Sequence, residues 1–401
     1  MTSGTDTERS TPTRLAVLWL AGVDLRVTML ALPPLLILIH RDLGLSEAAV
    51  GALTTLPALM MAAAAVPGSL LIARAGARRA AIAGLVIVAV SAALRGVGPS
   101  VVTLFAMTLV MGAGIAVMQP AVPALVARWC PDRVGFATAL YVNGLLVGET
   151  LSAALTLPLV LPVVRGNWPA ALAVWSVLPL LTAGLVLGFG GRLPDAAVGP
   201  EARWWPDWGR PETWRLGLIL GGVGTAYFGS NAFIPDYLRT AGRADLIGPC
   251  LAALNAGQLP ASAIALVVAR AITGRRAPLL VVPAAIALSL ALFLAAPPSL
   301  WVPAAGVIGF CCAFGLVLSM ALPPLVAEAA EVHHVSAGMF ASGYAYSFLL
   351  PLLGGVAWDV TRLPAAAFLP AFAGAATTFA AALGLPRRAG PGSGEIREVA
   401  G

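Results

Sequence analysis

Asp24, Arg26 and Glu149 are side chains that can carry charge and lie well inside apolar stretches of this sequence. Arg26 sits in Gly22-Val-Asp24-Leu-Arg26-Val-Thr, within an apolar run from Leu15 to Ile39. A run of that length crosses a bilayer at about 1.5 Å per residue. The guanidinium is then near mid-depth, where a charge costs from about 2.5 to more than 10 kcal/mol. It persists there only by facing a protein-lined or watery interior that holds a partner. Arg26 offers a rigid fork of N–H donors that suits a small anion, bidentate if the anion is planar. The competing role is a structural ion pair that locks its helix. Glu149, in Asn143-Gly144-Leu-Leu-Val-Gly148-Glu149-Thr-Leu-Ser152, lies midway along another apolar stretch, at a depth comparable to Arg26. It can serve as a proton or substrate site, or simply neutralise Arg26. Both roles hold together if an incoming anion displaces the carboxylate, which then takes up a proton. Asp24 is two residues from Arg26, about 200° around a helix, so the two cannot point the same way. Proton coupling and helix packing are both open to it.

Uncharged polar groups also fall inside apolar spans. Gln119, Asn231, Asn255 and Gln258 can hydrogen-bond a small polar solute or hold helices together. Tyr227 and Tyr344 offer aromatic walls with a hydroxyl, or ordinary core packing. Pro33-Pro34, Pro120/Pro123 and Pro323-Pro324 interrupt or bend their helices. Glu328-Ala-Ala-Glu331-Val-His333-His334 has metal-ligating residue types, but at a span end it reads as a cluster capping helix ends. The four cysteines have no metal-ligand spacing and read as small apolar fillers. No metal and no cofactor is expected.

These residues need helices to position them. The chain is 59% hydrophobic and 10% charged, against about 25% charged in soluble domains, and its mean hydropathy is +0.90. It is an all-α polytopic membrane protein. Spans are expected near 14–39, 47–73, 80–98, 101–127, 134–161, 168–190, 214–238, 245–269, 278–296, 300–327, 335–357 and 364–386. All 24 basic residues are Arg. With the N-terminus inside, 17 fall in inner loops and tails and 6 in outer loops (Arg41, Arg95, Arg165, Arg239, Arg243 and Arg362), leaving Arg26 alone within a span. The positive-inside rule therefore puts both termini in the cytoplasm. The net charge of +6 belongs to helix ends and implies no nucleic acid. The first span is too long for a signal peptide and is expected to remain in the protein.

The chain repeats itself at an offset near 200. Ala121-Val-Pro123-Ala-Leu125-Val126-Ala127 recurs as Ala321-Leu-Pro323-Pro-Leu325-Val326-Ala327, and Arg14-Leu15 as Arg215-Leu216. Gly22-Val23 recurs as Gly222-Val223. Two six-helix pseudo-symmetric halves, 14–190 and 214–387, follow from this. A tail (1–13), a Trp-rich cytoplasmic linker (191–213) and a second tail (388–401) surround them. Parallel repeats of this kind place a solute site between the halves near mid-membrane.

With those motifs, the sequence resembles the major facilitator superfamily, and within it the cyanate and 2-nitroimidazole transporter family. The carriers of the resemblance are the Arg26 helix, Leu53-Thr54-Thr-Leu56-Pro57, Gly112-Ala-Gly114-Ile115 with Gln119 and Pro123, Tyr227 with Pro235, Gly257-Gln258, and Gly343-Tyr344 with Pro351 and Gly354. The superfamily's loop marker is present in degraded form as Arg74-Ala-Gly76-Ala-Arg78-Arg79, with Ala73 where an acidic residue is expected. The resemblance implies a conformational role for Arg74, Gly76, Arg78 and Arg79. Asp24 stands where the family commonly has Asn.

The expected function is secondary transport of a small anionic or polar solute, cyanate-like or nitroheterocyclic, by rocker-switch alternating access with proton coupling. The expected setting is a bacterial inner membrane and a monomer, with the solute, the bilayer and protons as partners. Substrate contacts are expected at Arg26, Gln119, Asn231, Gln258, Tyr227 and Tyr344, and coupling or counter-charge at Glu149 and Asp24. A proton-driven exporter of lipophilic or nitroheterocyclic compounds is the alternative. A membrane-embedded enzyme is remote, because no paired-His, Gly-x-Ser-x-Gly or phosphate-loop motif is present.

Overall fold

Long stretches of Ala, Leu and Val leave the backbone no water to bond with in a bilayer, so the chain satisfies itself as helix. The computed structural model describes residues 4–385, apart from 46, 98–99, 189–202 and 273. Among the described residues all regular structure is helical. The first six principal helices are α1 (Gly4–Leu30), α2 (Glu47–Ala75), α3 (Ala77–Leu94), α4 (Val101–Trp129), α5 (Val134–Leu155) and α6 (Trp168–Gly188). The second six are α7 (Pro211–Thr240), α8 (Ala244–Ala269), α9 (Arg276–Ala295), α10 (Trp301–Met320), α11 (Val332–Thr361) and α12 (Pro364–Leu383). Eleven stretches among the described residues are long and apolar enough to span a membrane; the apolar stretch of α2, Leu59–Ala75, falls short of that length. The expected linker 191–213 lies largely, and the expected tail 388–401 wholly, outside the described residues.

Proline acts differently along the chain. α4 runs unbroken through Pro120 and Pro123. α1 instead stops at Leu30, short of the expected residue 39, and gives way to a tight turn at Pro33–Leu35 and a short helix, Leu36–Leu43. Two successive prolines remove the N–H groups that would have continued α1. α10 ends at Met320, with Pro323–Val326 as a separate turn. α5 passes into a wide turn over Thr156–Val160, around Pro158. At its start, α1 extends back to Gly4, so residues of the expected tail are helical.

Glycine lets α1 and α5 touch backbone to backbone. A Cβ on Gly144 would collide with the Trp19 carbonyl, and one on Gly148 with the Val23 carbonyl. This close approach brings Glu149 and Arg26 to neighbouring helices at matching depth.

The cores differ between the two ends of the bundle. We call the end where α1 and α7 begin proximal and the other distal. At the proximal end one continuous core takes residues from both sets of six helices, among them Leu18, Val126, Leu216, Met320 and Phe340. At the distal end there are two separate cores. One holds Leu35, Leu53, Leu104 and Trp168 from the first six helices. The other holds Ile286, Phe293, Trp301 and Phe368 from the second six. The molecule is joined at one end and divided at the other.

Candidate functional site

Between the helix sets, near mid-bundle, lies a cavity lined by Arg26, Glu149, Tyr227, Phe228, Gln258 and Tyr344, with Leu145, Leu316 and Ser347 among its remaining walls. It draws on α1 and α5 from one set and on α7, α8, α10 and α11 from the other. Mostly apolar walls with a few converging polar groups are typical of a small-solute site.

Arg26 is 8% exposed. Its Nη1 faces the Met29 sulfur at 3.6 Å, and its Nε has no hydrogen-bond partner. The ion pairs found among the described residues, such as Arg239–Asp236 at 2.6 Å and Arg243–Asp245 at 2.8 Å, lie at helix ends and turns and do not include Arg26. A thioether is a weak acceptor. The guanidinium is therefore held in the cavity without an oxygen acceptor of its own.

Glu149 shares the cavity but bonds elsewhere. Its Oε1 lies 2.8 Å from the Tyr227 hydroxyl, which in turn lies 2.7 Å from Asn255 Oδ1. Gln258 Nε2 donates to the Tyr227 oxygen at 3.2 Å and to Asn255 Oδ1 at 3.3 Å. Asn255 Nδ2 donates to the Leu251 carbonyl at 2.8 Å and lies 3.4 Å from Asn231 Oδ1. Asn231 Nδ2 donates to the Tyr227 carbonyl at 3.0 Å. Helical spacing explains the cluster, since Tyr227/Asn231 and Asn255/Gln258 are i,i+4 and i,i+3 pairs on shared faces.

The other expected site residues divide clearly. Gln119 stands behind the cavity and donates to the Tyr344 hydroxyl at 3.0 Å, so it reaches the site through Tyr344. Asn231 likewise acts through Asn255. Asp24 is fully buried outside the cavity, beside Thr182 of α6. The Thr182 hydroxyl donates to the Leu178 carbonyl at 3.1 Å, and both Asp24 oxygens are left without a hydrogen bond. Arg74, Gly76, Arg78 and Arg79 form the proximal turn between α2 and α3, where Gly76 has φ 87°. His333 and His334 turn inward, away from the exposed Glu328 and Glu331. His333 Nδ1 pairs with Ser69 Oγ at 2.9 Å in a buried contact joining α11 to α2.

Three features escape the sequence reading. Asn255, named above among the polar groups but not among the substrate contacts, is the hub of the polar network, and its i,i+3 relation to Gln258 is the signal that marks it. Asn143 bridges the helix sets, accepting from Trp19 Nε1 and donating to Ser262, both at 3.0 Å. Arg95, assigned above to an outer loop, is 1% exposed and donates from Nη2 to the Thr28 carbonyl at 2.7 Å. The sequence reading counted it with the outer loops as a charge near the end of the span 80–98, and the helix itself ends just before it, at Leu94.

Residues 15–349 match the family model of the Major Facilitator Superfamily. The chain is 29% identical over 247 residues to the cyanate transport protein CynX of Escherichia coli (strain K12), covering 61% of this chain and 63% of that one. It is 29% identical over 231 residues to the 2-nitroimidazole transporter of the same organism, covering 57% of this chain and 58% of that one. The matched part is thus less than two thirds of either relative. Among solved structures, FucP in the outward conformation aligns with a TM-score of 0.72 at 14% identity, over 92% of this chain and 97% of that one. The human organic anion transporter MFSD10 aligns with a TM-score of 0.70 at 14% identity, over 93% and 99%. These structural likenesses concern the fold.

Proposed function

The chain belongs to the Major Facilitator Superfamily, and from that premise we propose that it carries a small anion, of the size and charge of cyanate, through the Arg26 cavity. The observation that carries this reading is Arg26 itself, a buried guanidinium lining the cavity between the helix sets with no oxygen acceptor among the described residues. An anion entering the cavity supplies the missing acceptor through charge-assisted bonds. The cyanate transport relative supports the substrate class. The two sets, residues 14–190 and 214–387, act as the rocking halves about this site.

Proton counting supports a coupling role for Glu149. Tyr227 has one hydroxyl proton but two short oxygen contacts, to Glu149 and to Asn255. Turning the Asn255 amide over would not help, because its Nδ2 is held by the Leu251 carbonyl. A proton on Glu149 completes the chain: Glu149 donates to Tyr227, and Tyr227 donates to Asn255 while also accepting from Gln258. A deprotonated Glu149 takes the Tyr227 proton and leaves two oxygens facing each other at 2.7 Å. Protonation of Glu149 and the α5–α7–α8 contact are therefore linked. Asp24, outside the cavity, acts as a packing or secondary proton site in this reading.

The Arg distribution supports a cytoplasmic proximal end and cytoplasmic termini; in this reading the divided distal end faces outward from the inner membrane. The carrier works as a monomer, since its cavity is completed within one chain. The second reading is export of a nitroheterocycle, favoured by the aromatic walls Tyr227, Phe228 and Tyr344 and by the 2-nitroimidazole transporter relative. Counterflow in liposomes separates the two. Vesicles preloaded with unlabelled cyanate are expected to draw in radiolabelled cyanate. Counterflow with 2-nitroimidazole and none with cyanate would overturn the anion reading in favour of the second.

A further inference from the structure

Arg95, bonded to α1 at Thr28, repeats the circumstance of Arg26. It is 1% exposed at the distal end of α3. One of its nitrogens has a structural task. α1 fails ahead of Pro33-Pro34, and Leu32 N–H goes to the Met29 carbonyl at 3.5 Å instead of to Thr28. The orphaned Thr28 carbonyl is taken by Arg95 Nη2 at 2.7 Å. This task leaves Nε and Nη1 buried without a partner, and the neighbouring Thr28 hydroxyl is buried without one too. A single carbonyl would be capped as well by a neutral amide, so capping does not account for a full charge.

Next to these free donors is a second cavity, lined by Arg95, Met29, Leu32, Leu53, Thr108 and Met111 among others. The ion pairs among the described residues include none with Arg95. Met29 lines this cavity while its sulfur accepts from Arg26 Nη1. A single flexible thioether side chain therefore touches both the guanidinium of the first cavity and the wall of the second. Arg26 and Arg95 are fastened to α1 within a turn of each other, one by its own backbone and one through Thr28. A buried cation is costly unless an opposite charge lies with it, and each of these two is left without one among the ion pairs of the described residues.

We propose that Arg95 forms a second binding site for a small monovalent anion, on the distal side of Arg26, with Met29 as the partition between the two sites. It rests on the reading that the carried solute is an anion. In a molecule divided at the distal end, this site lies on the outward side of the transport site. An anion held there can wait until the Met29 side chain swings aside, and its charge meets the buried Arg95 guanidinium.

Equilibrium dialysis of radiolabelled cyanate against the purified full chain tests this by stoichiometry. The wild type is expected to bind two per chain, and Arg26→Ala and Arg95→Gln one each. Arg95→Lys, which keeps the charge and can still reach Thr28, is expected to retain two sites, the second weakened about tenfold because the fork is lost. One site in the wild type, lost in Arg26→Ala and kept in Arg95→Gln, would overturn the second site while leaving the Arg26 reading intact. One site lost only in Arg95→Gln would uphold this site and overturn the Arg26 reading. Absence of saturable binding would overturn both. If Arg95→Gln does not fold, wild-type crystals in sodium bromide give the answer directly: anomalous density against the Arg95 guanidinium supports the site, and density at Arg26 alone overturns it.

Discussion

At the proximal end, Leu18 and Val126 share a core with Met320 and Phe340 across the two sets of helices. At the distal end, Leu35 and Trp168 pack in one core while Phe293 and Trp301 pack in another. The same twelve helices thus form one body at one end and two at the other. The proximal seam is held by apolar packing plus the buried Ser69–His333 bond, while Asn143–Ser262, Gln119–Tyr344 and Glu149–Tyr227 cross between the sets nearer the cavity. If the halves rock as proposed, opening to the other side requires breaking a small set of named contacts, whose cost must be met by new packing at the distal end. A two-state carrier works only if the two arrangements lie within a few kcal/mol of each other.

The strongest way to break this comparison is to make the proximal seam permanent. Cysteines replacing Ser69 and His333, in a background without the four native cysteines, would be bridged by a cleavable bifunctional thiol reagent. Cyanate counterflow is expected to fall to background and to return when the bridge is reduced. Undiminished counterflow in the bridged protein would mean that the seam does not open during transport. A partial loss is expected from Glu149→Gln, which keeps the neutral, Tyr227-bonded form at all pH values. Exchange of solute should persist while accumulation driven by a pH gradient disappears, read as the ratio of internal to external label; unchanged accumulation would remove Glu149 from coupling. The smallest effect is expected for Ser69→Ala. Losing one buried hydrogen bond at the seam costs about 1 kcal/mol, which shifts the population toward proximal opening by roughly fivefold. Thiol labelling of a single reporter cysteine at the proximal seam measures that shift, and equal labelling rates would show that the bond contributes nothing to closure.

Much of the architecture is legible in the sequence because membrane spans follow from apolar length alone. The all-α fold, the span positions and the offset repeat needed no tertiary information. Element ends were less legible where proline decides locally: α1 stops before Pro33, yet α4 passes through Pro120 and Pro123. That difference depends on neighbouring helices, which the sequence does not display. In the site, Arg26, Glu149, Tyr227, Gln258 and Tyr344 could be picked because polar groups inside spans are few and costly. Which of them face one cavity is a matter of helix rotation, and Asp24 and Gln119 turn out to stand outside it. Arg95 was hidden for another reason. A charged residue at a span end is ordinarily solvated, and only the break in α1 creates the buried carbonyl that draws it inward.

Cyanate counterflow by Arg26→Ala protein, compared with wild type in the same liposomes, tests the central claim most directly. Removing the guanidinium leaves a mostly apolar cavity with no cation to receive an anion, so counterflow is expected to fall to the level of empty liposomes while the protein still elutes as a single folded species. Counterflow by folded Arg26→Ala at the wild-type rate would contradict the account.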